Sequence, residues 1–178
     1  MMDQGISALI DRARTASRDV ETRRQEMLQA AFRRQESILS LKAAGMSVRT
    51  IAGLLGVSAG VVQAQITTAT GRRPKTTRRE ERVPYELHVS VLMKLETDPD
   101  EVRDIGLKNL TKMESTPRAS IAKTWIKEWK RLLNGPPDQL RDVMLGDTEL
   151  ARELRQFSPF AGAISQEERM DAIRKAAA

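Results

Sequence analysis

The stretch SVRTIAGLLGVSAGVVQAQI, residues 47–66, holds two short apolar helical patterns on either side of a glycine. Ile51, Ala52 and Leu55 belong to the first pattern. Val62 and Ile66, four residues apart, share one face of the second. Ser47 and Ser58 each stand just before a pattern, where a hydroxyl can accept from a backbone N–H that lacks a helical partner. Gly56 lies between the two, and glycine enters the left-handed conformation of a tight turn at little steric cost. Ala52 is small where two helices must approach, and Val57 can fill the space beneath the turn. This spacing predicts a helix-turn-helix. The plainer alternative is two core helices that meet at a glycine turn.

The pattern SxxxIAxxLGVSxxxVxxxI resembles the helix-turn-helix of many bacterial regulators, recombinases and sigma-like proteins. The resemblance implies that the second helix lies in a DNA major groove and shows it Ala59, Gly60, Gln63, Ala64 and Thr67. Gln63 would bond adenine in two places, and Ala59 and Ala64 would meet a thymine methyl. Ser58 and the helix N-terminus would donate to a phosphate. Residues 58–66 include no Lys, Arg or His. Base contacts specify and phosphate contacts position, so the charge can come from other elements. The candidates are Arg49 on the first helix and Arg72, Arg73, Lys75, Arg78 and Arg79 after the second, with Arg33 and Arg34 on the preceding helix. The basic residues after the second helix could form an arm in the adjacent minor groove or a solvated linker that touches phosphates loosely.

The charge distribution agrees with this placement. The net charge is +6, yet residues 1–82 carry 15 Lys and Arg against 8 Asp and Glu, while residues 83–178 carry 15 against 16. A basic half beside a near-neutral one suggests a polyanion-binding module joined to a unit with another task. Hydrophobic residues at 40% allow a core, and aromatics at only 3% require that Leu, Ile, Val, Met and Ala build it. With no cysteine, disulfides, thiolate metal sites and cysteine nucleophiles are all excluded. No apolar run reaches the length of a membrane span and no secretory signal is read at the N-terminus, so the expected location is cytoplasmic, away from membranes.

Working outward, the expected fold is all-α: a helix-turn-helix unit and a small C-terminal helical bundle joined by a basic linker. The expected divisions are an N-terminal helical extension at 1–22, the DNA-binding unit at 23–68, the linker or arm at 69–84 and the C-terminal unit at 85–178. In the first segment Ile6, Ile10, Ala13, Val20, Met27, Ala31, Ile38 and Leu41 lie close to a heptad seam, broken by Ser17, Arg24 and Arg34. That fits either a dimeric coiled coil or two consecutive helices, the second burying Leu28, Phe32, Leu39 and Leu41. In the second half Pro84 is expected in a first helical turn, Asp98 and Pro99 at a helix start, and Thr116 and Pro117 at another. Ser165 and Glu168 have capping-box spacing.

The second half shows no metal-ligand cluster, nucleophile motif or phosphate loop, so neither an enzyme nor a cofactor is expected. His88, the single histidine, reads as a helix-face residue. Trp125 and Trp129, four apart, form either a core or a partner-binding face. Phe157 and Phe160 in a loop need burial, within the chain or against a partner. WIKEWKRLLNGP (residues 125–136) followed by LRQFSPFAGAISQEER (residues 154–169) resembles the C-terminal module of small bacterial helix-turn-helix proteins encoded beside nucleotidyltransferase-like toxins, for which they look like antitoxins. The resemblance spans residues 89–169. It implies a toxin partner meeting Trp125, Trp129, Phe157 and Phe160, with the first half repressing its own operon. A helix with one amide reader also implies a homodimer or several adjacent sites on double-stranded DNA. The competing expectations are a phage or mobile-element protein with an architectural or recombination role, and a helical adaptor that binds no DNA.

Overall fold

The computed structural model describes residues 2–75, 78–116 and 120–178, with side chains from residue 5 onward, Ser120 excepted. The described residues form helices and no strand, as expected for an all-α fold. In order they are α1 (Met2–Ala43), α2 (Val48–Leu55), α3 (Ala59–Gly71), α4 (Arg79–Thr97), α5 (Pro99–Glu114), α6 (Ser120–Leu133), α7 (Pro137–Leu145), α8 (Glu149–Gln156) and α9 (Gln166–Ala177). No single one of them is long and apolar enough to cross a membrane.

Two apolar clusters organise the chain. The smaller joins Ile38 of α1, Ile51 and Ala52 of α2 and Val62 of α3, with Leu41, Met46, Val48, Val57 and Ile66 around them. The larger is built around α4, whose residues Tyr85, Val89, Val91, Leu92 and Leu95 are all buried. Helices α5, α7, α8 and α9 pack directly on α4, and α6 packs on α5 and α7. Where α5 meets α6, Gly106 lets the helices approach so closely that a Cβ there would stand 2.9 Å from Cδ1 of Leu133. The clusters are tied by α9, which packs on both α1 and α4, and by Phe32 of α1, which enters the larger cluster.

Three expectations need correction. The N-terminal segment, open between one helix and two, is one continuous helix. Leu28, expected to be buried, is exposed: among the described residues nothing covers it, and α1 meets the body only from Phe32 onward. Leu39 and Leu41 are partly buried. The segment 69–84 is helical at both ends rather than an arm throughout: α3 continues to Gly71, Arg72 is its C-cap and α4 begins at Arg79. Finally, Pro84 lies inside α4 rather than in its first turn. Proline has no N–H to give the carbonyl four residues back, which is Glu80 O. Gln156 of α8 takes over, its Nε2 donating to that oxygen at 2.6 Å.

Other starts follow the sequence. Pro99 opens α5 after Asp98, although Asp98 makes no side-chain cap bond. Ser165 and Glu168 form the reciprocal capping box of α9. The proposed start at Pro117 lies outside the described residues.

Candidate nucleic-acid interface and the ionic cluster behind it

The α2–α3 unit is built by its caps. Ser47 Oγ accepts from the Thr50 N–H at 3.0 Å, and Ser58 Oγ accepts from the Val61 N–H at 3.2 Å. Gly56 has φ 64° and ψ 32°, the left-handed cap that ends α2. The next N–H, of Val57, donates back to Ala52 O at 3.1 Å. The two helices turn by 111° across this break, within the range of about 90–120° for helix-turn-helix pairs. Ile51 and Val62 are fully buried beneath the turn, whereas Leu55 is exposed.

On the outer side of α3, Ala59, Gly60, Gln63, Ala64 and Thr67 are all exposed, as is Arg49 on α2. No charged residue lies on this face, and Ala59 and Gly60 leave the helix backbone accessible. Next to it, at the end of α2 and the start of α3, Leu54, Leu55 and Val61 are also exposed.

The basic residues after α3 divide. Lys75 and Arg79 are exposed, and Arg78 lies at the surface before α4 with interactions of its own. Arg72 and Arg73 turn inward, and here the expectation of an arginine arm is corrected. Arg73 spans two buried carboxylates. Its Nη1 and Nη2 donate to Glu36 at 3.1 and 2.7 Å, and its Nε and Nη2 donate to Glu86 at 2.7 and 2.9 Å. Arg73 Nη1 also donates to Ala69 O of α3 at 2.6 Å. Arg72 Nη2 donates to Glu36 at 3.1 Å, its other terminal nitrogen donates to Gln35, and its guanidinium lies over the Phe32 ring at 4.9 Å. Lys175 of α9 completes the group, 3.4 Å from Asp171, 3.8 Å from Glu36 and 3.9 Å from Glu86.

Three cations thus face three carboxylates at the junction of α1, α3, α4 and α9. The Glu36 side chain has no exposed surface. Burial alone would raise its pKa, but Arg73, Lys175 and Arg72 outweigh burial and hold it below the ordinary value of 4.5. Burial opposes the charge on Arg73 too, and Glu36 and Glu86 overcome it, so its pKa is raised. Tyr85 donates from its hydroxyl to Arg72 O at 3.2 Å, and burial pushes that hydroxyl up to about 12. The cluster fixes the C-terminal end of the α3 helix to the C-terminal bundle. Arg33 is likewise engaged, donating to Glu96 at 3.0 Å, while Arg34 is exposed.

Glu36, Glu86 and Lys175 went unread in the sequence. A signal was present: Glu36 is four residues from Phe32 and two from Ile38, and Glu86 lies between Tyr85 and Val89. A carboxylate inside an apolar helix face requires a buried partner.

Of the two readings of the aromatic residues, the core reading fits Trp129 and Phe160. Trp129 is fully buried and donates from Nε1 to Leu154 O at 3.2 Å, and Phe160 meets it edge-on at 5.3 Å. Trp125 and Phe157 are partly buried against the same core and lie 5.3 Å apart. His88 stacks on Trp129 at 6.0 Å with its Nδ1 2.7 Å from Pro84 O. That carbonyl can only accept, so Nδ1 carries the proton. Burial pushes the His88 pKa down to about 4, and the ring is neutral. Among the described residues, no group of three or more His, Asp and Glu could hold a metal ion.

No family model, no curated protein and no solved structure matches the chain.

Proposed function

We propose that this protein binds duplex DNA as a transcriptional regulator, with α2–α3 as its reading unit. The observation that carries this reading is the doubly capped α2–α3 turn of 111° with a smooth, exposed α3 face. Gln63 is the principal base reader, bonding an adenine edge, and Ala59 and Ala64 accept the thymine methyl beside it. The α3 N-terminus, Gly60 and Ser58 approach a phosphate. Arg49 and the exposed Arg34, Lys75 and Arg79 contact the backbone. Arg72 and Arg73 do not; they hold α3 in place through Glu36 and Glu86. Autoregulation and a toxin partner rest on the sequence resemblance alone.

A specific observation favours a second reading. Leu54, Leu55 and Val61 are exposed beside an uncharged helix face, and two arginines are withdrawn into the interior. That combination also suits an adaptor that docks another protein through α2–α3. Fluorescence anisotropy separates the two readings, using the full chain against the DNA upstream of its own coding sequence and a shuffled duplex. The regulator prefers the upstream duplex and retains that preference at higher salt. An adaptor binds neither duplex even at low salt, and equal, strongly salt-dependent binding to both would indicate an architectural protein.

A further inference from the structure

Among the described residues, the part of α1 that precedes Phe32 has no partner. Every residue from 5 to 31 is exposed, and Ile6, Leu9, Ile10, Val20, Met27 and Leu28 are 46–66% exposed. Most of these residues, with Ala13 and Ala31, form one stripe down the helix. Helices in proteins gain most of their stability from covering an apolar face, and here that face is open.

We propose that this stripe is covered by the same stripe of a second copy, running antiparallel. Charge decides the direction. With the chains parallel and in register, the seam would set Arg24 against Arg24 of the second copy. In the antiparallel register that uses the whole free length, seam partners have residue numbers adding to 37. Ile10 then packs on Met27 of the second copy, Ile6 on Ala31, and Val20 beside Ser17. Arg24 falls beside the small Ala13, and its stem can reach past it to water. On the flank, Arg14 stands opposite Glu21 of the second copy, and the symmetry repeats the pair. In the single chain both groups make only exposed contacts within α1: Arg14 lies 3.8 Å from Asp11, and Glu21 lies 3.7 Å from Arg24 and accepts from Gln25 at 2.8 Å. A register one heptad further along would require Ile38, which is already buried against α2 and α3. Antiparallel alignment also opposes the two helix dipoles favourably.

The pairing stands whatever the chain binds. Joined to the DNA reading above, on which this one consequence rests, it puts the two Ala43 ends about 74 Å apart at 1.5 Å per residue. That is more than two turns of B-DNA, so two half-sites a single turn apart could not both be met by such a dimer.

The test uses the full chain, which has no cysteine of its own. Light scattering should give about twice the monomer mass of 19.9 kDa at tens of micromolar. Ile10→Cys and Met27→Cys are then made as separate variants at exposed positions, with circular dichroism checking that each stays helical. Under mild oxidation a mixture of the two should form disulfide-linked dimers. Neither should do so alone, because like positions lie far beyond the reach of about 7 Å between Cα atoms. Glu21→Arg should weaken the dimer about tenfold and Arg14→Glu added to it should restore it. A monomer at these concentrations, rapid cross-linking of Ile10→Cys alone, or a dimer whose mixed variants fail to cross-link would each overturn the proposal.

Discussion

Replacing Glu36 with Gln removes one charge from the buried cluster with little change in size. The Glu36 side chain is fully buried and accepts three charge-assisted bonds, one from Arg72 and two from Arg73. An amide keeps one acceptor and points an NH2 donor at a guanidinium that can only donate. Arg72, Arg73 and Lys175 would then face only Glu86 and Asp171. Taking one partner from a buried ion pair costs about 3–5 kcal/mol, a large share of the stability of about 5–15 kcal/mol typical of a folded protein. For a chain of this length a loss of 3 kcal/mol lowers Tm by about 6–12 °C. The assay is urea unfolding of the full chain at pH 7, followed by helix circular dichroism and by the fluorescence of Trp125 and Trp129. Glu26→Gln, on the exposed part of the same helix and off the apolar stripe, is the control and should change stability by less than about 0.5 kcal/mol. The dependence on pH supplies a second readout. Glu36 binds its proton more weakly folded than unfolded, so its contribution is complete above the ordinary value of 4.5 and is lost as the pH falls through the lower folded value. The variant should lack that part of the acid limb. A loss below about 1 kcal/mol, with an unchanged acid limb, would refute the claim that the cluster secures α3 to the bundle.

Other expectations are direct. Gln63→Ala should relax discrimination at one base pair by about 1–3 kcal/mol and leave affinity for shuffled duplex nearly unchanged; equal weakening on all sequences in binding titrations would misplace the reading face. Gly56→Ala forces a side chain into φ 64° and should cost about 1–2 kcal/mol in urea unfolding with α2–α3 otherwise intact. His88 has its pKa lowered from 6.5 to about 4, so the unfolded chain takes up its proton first. Stability is full above pH 6.5 and should fall by about 3 kcal/mol as the pH drops to 4; urea midpoints that do not move across that window would contradict the buried, neutral ring.

The turn at Gly56 and its two serine caps were legible because each is a local device, set by a residue and its neighbours three or four positions away. The same holds for the capping box of Ser165 and Glu168. Arg72 and Arg73 were misread for the opposite reason. Composition made 69–84 look like a linker, but what holds these arginines is Glu36, on another helix far earlier in the chain, and Glu86 beyond the proline. Pro84 misled in the same way, because its missing hydrogen bond is made good by Gln156 from a distant helix. Trp125 and Trp129 were open to two readings because an aromatic pair at helical spacing fits a core and a docking face equally well. Only the approach of Leu154, Leu133 and His88 decides between them. The continuous α1 was ambiguous because Ser17, Arg24 and Arg34 interrupt its seam.

The most direct test of the central claim is backbone-amide chemical-shift mapping of the full chain as the upstream duplex is added. The DNA reading predicts that the amides of Ser58, Gly60, Gln63 and Thr67 shift most, with Arg49 following and the residues of the buried cluster unmoved. Shifts confined to other helices, or none on residues 58–67 at saturating duplex, would contradict it.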